Sequence, residues 1–111
     1  MHDPVISSRS DSFAADVLAA PTPVVVEFTA RWCAPCRRLA PVLDELARRH
    51  AGRVRVVVVD VEATPDLAQA YRVSAMPTLL GFRGGQVVAQ QVGFSGRAAV
   101  ERLFDDLASA G

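Results

Sequence analysis

The chain contains two cysteines, Cys33 and Cys36, which are separated by two residues and directly preceded by Trp32. Two intervening residues bring both sulfurs within bonding distance when the segment begins a helix, so the pair can alternate between a dithiol and a disulfide. The pair follows an apolar strand pattern over residues 24–28. A strand followed by a helix is the context in which this spacing indicates redox chemistry.

Half of a zinc site is the alternative chemistry for this pair. Zinc in proteins prefers four ligands, and the histidines that could join are His2 and His50. His2 lies in a polar N-terminal stretch, and His50 lies far along the predicted helix from the cysteines. The spacing therefore favours redox chemistry over a metal site, and His50 is expected on a solvated helix face.

Composition restricts the class of protein. The 111 residues are half apolar, and 12 acidic residues balance 12 basic ones, all of which are arginine. The arginines are spread along the chain, without the basic tract or patch that binds nucleic acid or a membrane surface, so neither partner is expected. No apolar run in the sequence approaches the length that spans a bilayer.

The start of the chain lacks the basic stretch followed by an apolar one that marks a signal peptide. We therefore expect a cytoplasmic protein, in which an exposed dithiol is kept reduced and acts transiently. Residues 1–9 are expected to be a flexible, loosely held segment, and residues 10–111 are expected to form one domain.

The spacing of apolar residues predicts strands that alternate with helices. Strands are predicted over Val24–Thr29, 54–61, Thr78–Arg83 and Gln86–Val92, with a glycine pair joining the last two in a hairpin. Helices are predicted before the first strand, over about 33–51, after Thr64 and after Ser95. This order predicts an α/β fold with a mixed sheet and helices on both faces.

Several short motifs identify a family. They are Val26-Glu27-Phe28, the run from Ala30 to Cys36, Ala40-Pro41-Val42-Leu43, Tyr71, Ala75-Met76-Pro77-Thr78-Leu79, and Gly84-Gly85 followed by Val92-Gly93. With these motifs the chain resembles the thioredoxin family from about residue 13 to about residue 108. The resemblance implies the thioredoxin fold, in which a central mixed β-sheet is flanked by helices on both faces.

Different roles are expected for the two cysteines. Cys33 lies at the predicted helix start, where unpaired N–H groups and the helix dipole favour a negative charge, so its pKa is lowered and it is the attacking thiolate. Cys36 lies one turn further in, is expected to be less exposed, and is the resolving thiol. Between them, Pro35 fixes the backbone, which in the family accompanies a reducing pair. Ala34 replaces the usual glycine and is expected to tune the reduction potential.

Glu27 is an acid within an apolar strand, which is costly unless the carboxyl is neutral, paired or at an edge. One interpretation is an exposed glutamate on an edge strand. The resemblance implies instead a buried acid that accepts the proton of the second cysteine, although the usual family residue is aspartate. A lysine often found on the next strand is replaced by Val58 here. We expect Glu27 to be a general base for Cys36, with a pKa raised by desolvation.

The resemblance also implies an apolar substrate-binding surface around Cys33. Its residues are Trp32, Ala34, Pro35, Met76, Pro77, Gly93 and Phe94. In the family the equivalent of Pro77 is cis, and the backbone of the residue before it holds the substrate as a strand. Alternatively, Pro77 is a turn proline and Trp32 a core residue. The ring of Phe94 either widens the surface or packs inward.

The predicted function is that of a protein-disulfide reductase, in which Cys33 attacks a substrate disulfide and Cys36 releases the reduced product. The resemblance implies disulfide-containing protein substrates, no bound cofactor, and electrons from NADPH through a thioredoxin reductase; a monomer is expected. The chain has no dinucleotide-binding glycine motif of its own. Two alternatives are a binding subunit or holdase that leaves the thiols idle, and a disulfide oxidase or isomerase.

Overall fold

The computed structural model describes residues 4–109. Over these residues the chain forms five strands, three α-helices and a short π-helical segment. The strands are β1 (Val5–Ser7), β2 (Val24–Thr29), β3 (Arg55–Asp60), β4 (Thr78–Arg83) and β5 (Gln86–Val92). The α-helices are α1 (Ala34–Arg49), α2 (Pro65–Ala70) and α3 (Arg97–Ser109), and the π-helical segment is Ala14–Leu18.

The five strands form one mixed sheet in the order β1-β3-β2-β4-β5. Strands β1 and β2 run parallel to β3, whereas β4 runs antiparallel to both β2 and β5. The β4–β5 hairpin turns at Gly84 and Gly85, whose φ values of 60° and 79° suit glycine. The predicted mixed sheet is confirmed, and β2 lies in its interior.

Helices cover both faces of the sheet, as the sequence predicts. One core cluster packs α1 and α3 against the sheet through Leu39, Leu43, Leu46, Leu103 and Phe104. A second cluster packs the π-helical segment and α2 against the other face. The residues of β2 divide between them by strand alternation: Val25 joins the first cluster, while Val24, Val26 and Phe28 join the second.

The structure differs from the sequence-based expectation near the N-terminus. Residues 1–9 are predicted to be a flexible segment, whereas Val5–Ser7 pairs with β3 in parallel register. Directly after β1, Ser8 donates its N–H to the carbonyl of Val58 over 2.9 Å. This strand has three residues, too few for a periodic pattern, and its partner lies about fifty positions away. Residues 1–3 lie outside the described residues.

His50 is buried, not solvated as the sequence predicts. Its residue exposure is 4 %, and its ring lies against that of Phe104, with centroids 5.4 Å apart. The spacing of Leu39, Leu43, Leu46 and His50 places all four on the same face of α1. His50 therefore continues the apolar stripe of the helix at its C-terminal end.

Membrane-spanning helices and metal-ligand clusters are both absent from the described residues 4–109. None of the helices there combines the length and the apolar character needed to cross a membrane. Within the same range, no three His, Cys, Asp or Glu side chains come together as metal ligands.

Candidate active site

The cysteine pair lies where α1 begins. Cys33 is the N-cap residue of α1 and has an extended backbone, with φ −92° and ψ 106°. The two cysteines form a disulfide with their Cα atoms 5.3 Å apart. The backbone N–H of Cys36 donates a hydrogen bond to the Cys33 sulfur over 3.2 Å. Cys33 therefore takes the place that a serine or aspartate side chain holds at many helix starts.

Both cysteines are almost fully buried in this disulfide form. Cys33 is 3 % exposed and Cys36 is 4 % exposed. The expected difference in exposure between them is therefore not seen in the oxidised protein. What separates the two sulfurs is their position on the helix, because Cys33 caps α1 while Cys36 lies inside its first turn.

Local hydrogen bonds hold the loop before the helix. The N–H of Cys33 donates to the carbonyl of Ala30 over 3.2 Å, and the guanidinium of Arg37 donates to the carbonyl of Arg31 over 3.0 Å. Pro35 stands in the first turn, where an N–H has no intrahelical partner, so proline is tolerated there. The loop and the helix start therefore form one fixed unit around the sulfurs.

A second segment lies beside the cysteines. Met76 packs against the small cluster of Ala30, Cys33 and Cys36, and its peptide bond to Pro77 is cis. The carbonyl of Pro77 accepts the N–H of Gly93 over 2.7 Å. The start of β4 and the end of β5 are thereby joined next to the disulfide.

The remaining residues of the predicted substrate-binding surface differ in exposure. Trp32 is 64 % exposed, which excludes the alternative of a core tryptophan. Gly93 and Ala34 are exposed, and Pro35 is half-buried. Phe94 is half-buried and packs against the first core cluster, so of its two alternatives the structure shows the inward one.

Glu27 is buried in the interior of the sheet, at 4 % exposure. It pairs with Val58 on β3 and with Leu79 on β4, so the alternative of an exposed edge glutamate is wrong. Its Oε2 atom has no hydrogen-bond partner among the described residues. Burial raises the pKa of the carboxyl from its ordinary 4.5 to about 7, because desolvation penalises the charged form.

Glu27 and Cys36 line the same cavity, which has a volume of about 340 Å³. The cavity lies between α1, the ends of β2 and β3, and the loop at Arg31. A carboxyl that titrates near neutral pH thus shares a space with the second cysteine. This arrangement can transfer a proton to or from a sulfur that leaves or enters a disulfide.

Two polar residues of this cavity are Thr29 and Asp60, and Asp60 is not among the site residues predicted from the sequence. They are register partners at the ends of β2 and β3. Asp60 also accepts the N–H of Glu62 over 2.8 Å and so fixes the loop that follows β3. The signal was available, because the carboxyl ends of neighbouring parallel strands meet at one edge of a sheet.

A mixed sheet with helices on both faces, carrying a Cys-x-x-Cys disulfide at a helix start, defines a thiol–disulfide oxidoreductase. The family model for thioredoxin matches residues 4–106. "Thioredoxin C-2" of Corynebacterium nephridii is 46% identical over 101 residues, which cover 91% of this chain and 94% of that protein. The chain belongs to the thioredoxin family, whose members are protein-disulfide reductases.

Two mycobacterial relatives extend the comparison. The thioredoxin of Mycobacterium tuberculosis (strain ATCC 25618 / H37Rv) is 44% identical over 96 residues, or 86% of this chain and 83% of that protein. The "Bifunctional thioredoxin reductase/thioredoxin" of Mycobacterium leprae is 43% identical over 96 residues, but these cover only 21% of its length.

Proposed function

We propose that Cys33 is the nucleophile of the reduced protein. Its thiolate attacks one sulfur of a substrate disulfide, so the substrate S–S bond breaks and a mixed disulfide forms. The Cys36 thiolate then attacks the Cys33 sulfur, and the substrate leaves as a second thiol after taking up a proton. The protein thereby loses two electrons to the substrate and ends as the Cys33–Cys36 disulfide. The N-cap position of Cys33 is the observation that carries this assignment.

Glu27 is proposed as the general base of the second step. Cys36 must lose its proton before it attacks, and a carboxyl with a pKa of about 7 is half ionised at neutral pH. The shared cavity supports a transfer between these two groups, either directly or through one water molecule.

The substrate-binding surface is proposed to consist of residues beside the disulfide, of which Trp32, Ala34 and Gly93 are exposed, Pro35 and Met76 are half-buried, and Pro77 is buried. Met76 packs against both cysteines, and Pro77 is hydrogen-bonded to Gly93 next to it. Trp32 directly precedes Cys33, and Ala34 and Pro35 begin α1. Phe94 is assigned a supporting role, since its ring packs inward. The backbone groups of Met76 are available to pair with an extended substrate segment, as the family resemblance implies.

Electrons are proposed to come from NADPH through a separate thioredoxin reductase. The name of the Mycobacterium leprae relative combines both activities in one protein, which supports a functional link between them. A cytoplasmic location, a monomeric state and a single domain over residues 10–111, extended by β1, are proposed together with this function. The role would be electron transport to protein disulfides and cell redox homeostasis.

Insulin reduction with dithiothreitol as the electron donor tests the function. We expect the protein to accelerate the precipitation of insulin chains, and a variant with both Cys33 and Cys36 replaced by serine to leave the uncatalysed rate unchanged. Equal rates for the two proteins would favour the idle binding subunit. A catalysed reaction combined with a reduction potential above about −180 mV, the isomerase range, would favour the oxidase or isomerase.

A further inference from the structure

The cavity shared by Glu27 and Cys36 is larger than a proton transfer requires. Its volume is about 340 Å³, whereas one water molecule occupies about 30 Å³ in the liquid. Small-molecule sites in proteins begin at about 300 Å³. The walls are largely aliphatic and include Ala30, Ala40, Leu43 and Val58. The lining does not include Trp32, Met76 or Gly93, so the cavity is distinct from the proposed substrate-binding surface.

The charged groups around the cavity are mostly engaged elsewhere. Arg37 bonds to the carbonyl of Arg31 over 3.0 Å, and Asp60 accepts the N–H of Glu62 over 2.8 Å. Asp44 lies 3.8 Å from Arg48 in an ion pair. Apart from Glu27, the two arginines and two aspartates of the wall balance in charge, which favours a ligand without net charge.

Glu27 supplies the hydrogen-bond acceptor that can orient a ligand in the cavity. It is 4 % exposed, it lines the cavity, and its Oε2 is buried without a hydrogen-bond partner among the described residues. A buried acceptor without a partner is costly, and a donor brought in by a ligand removes that cost. The ligand that fits must therefore combine one hydrogen-bond donor with an apolar body.

We propose that this cavity binds a small neutral aromatic molecule that carries one N–H or O–H group. This group donates a hydrogen bond to the carboxyl of Glu27. The ring lies against the aliphatic walls formed by α1 and β3. A rigid ring suits the space, since it fills an apolar cavity with few torsions to restrict.

Indole and 1-methylindole test the proposal, because they share one bicyclic ring and only indole has the N–H donor. Each is titrated into the oxidised protein, and binding is followed by the NMR shifts of the backbone amides of Glu27, Cys36 and Val58. We expect saturable shifts, with indole binding at least about tenfold more tightly, a ratio that corresponds to about 1.4 kcal/mol. Equal affinities would overturn the bond to Glu27, and the absence of saturable shifts would overturn the site.

Three variants place the ligand. In Glu27→Leu the preference for indole over 1-methylindole should disappear, and a retained preference would overturn the proposal. Ala40→Phe puts a ring into the cavity from the exposed side of α1 and should abolish binding, whereas Ala98→Phe, at an exposed position of α3, should bind as the parent does. Unchanged binding by Ala40→Phe would also overturn the proposal.

None of these measurements depends on disulfide exchange, so their outcome is separate from that of the proposed function. The comparison of the two ligands on the unmodified protein decides the question even where a variant fails to fold.

Discussion

The N–H of Cys36 donates a hydrogen bond to the sulfur of Cys33 over 3.2 Å. A thiolate at Cys33 can accept the same bond, and a charged acceptor makes it stronger. The Cys36 sulfur has different surroundings, since Cys36 lies inside α1 and lines the cavity of Glu27. The two cysteines are thus equally buried but have different neighbours. A backbone N–H can stabilise a thiolate at Cys33, and the carboxyl of Glu27 can take up the proton of Cys36.

Single serine substitutions at the two cysteines should have different effects. Cys36→Ser should retain attack by Cys33 and accumulate stable mixed disulfides with substrate proteins, because no thiol remains to resolve them. Cys33→Ser should form few such adducts, and both variants should lose catalytic insulin reduction. Non-reducing electrophoresis after mixing with oxidised insulin measures the adducts. Adducts that accumulate with Cys33→Ser instead would reverse the assignment.

Replacing Glu27 by glutamine should slow the second step. Glutamine keeps the size of the side chain but cannot accept a proton, and general-base catalysis typically contributes about a hundredfold or more. Rapid-quench measurements on the reduced protein with a disulfide peptide separate formation of the mixed disulfide from its resolution. Only the resolution rate should fall, and equal resolution rates in the two proteins would exclude Glu27 as the base.

The same substitution should change how stability depends on pH. The pKa of Glu27 is about 7 in the folded protein and near 4.5 in the unfolded chain. The folded state therefore keeps the proton of this carboxyl up to a higher pH than the unfolded state does. The stability present below pH 4.5 is therefore lost as the pH rises through about 7, by about 3 kcal/mol in all. Glu27→Gln should lack this loss in urea unfolding curves recorded between pH 4 and pH 8.

Glu62→Gln provides the control, since Glu62 is exposed. Its pH profile should follow that of the parent protein. A Glu27→Gln profile that runs parallel to the parent would contradict the raised pKa.

His50 should make the protein sensitive to acid. Desolvation lowers the pKa of the imidazole, Arg53 acts in the same direction, and Asp105, whose carboxylate lies 3.7 Å away, opposes both. The unfolded chain therefore takes up a proton first as the pH falls through about 6.5, and stability is lost. In thermal unfolding measurements, the melting temperature should fall less between pH 7.5 and pH 5.5 for His50→Leu than for the parent protein.

A second histidine in the sequence, His2, serves as the matched control. His2→Gln should retain the acid sensitivity of the parent. Equal decreases in the parent and in His50→Leu would mean that His50 does not titrate between the two states in this range.

Trp32 should report the redox state of the pair. It is the single tryptophan of the chain, it is 64 % exposed, and it precedes the N-cap cysteine. Its emission should change on reduction and titrate with dithiol concentration to a potential near −270 mV, which is the known value for a thioredoxin. Cys36→Ser should show no such titration. A midpoint above about −180 mV would contradict the reductase function.

The elements around the site could be predicted where their signals are local. The predicted bounds of Val24–Thr29, Thr78–Arg83 and Gln86–Val92 equal those of β2, β4 and β5, because each apolar run is bordered by proline or glycine. The helix predicted over about 33–51 is α1, which begins one residue later since Cys33 caps it.

Long-range features could not be predicted in the same way. Strand β1 depends on pairing with β3, and the three residues of β1 give no pattern by themselves. The equal burial of Cys33 and Cys36 depends on Ala30, Val61 and Met76, which converge from separate loops. The burial of His50 is different, because its spacing from Leu46 is a local signal for the buried face of α1, whereas its polarity predicts a solvated position.

The β4–β5 hairpin runs from the neighbourhood of the disulfide to a turn at its other end. Pro77 and Gly93 join its open end beside the disulfide, and Gly84 and Gly85 form its turn. Six residues of β4 at about 3.3 Å each place the turn about 20 Å from Pro77. A Cβ at Gly84 would meet no atom within 4 Å, so there is open space beside the turn, whereas the φ of 60° would strain any residue other than glycine at that position. Attaching the protein to an electrode beside this turn would therefore point the end of the hairpin that lies next to the disulfide away from the electrode.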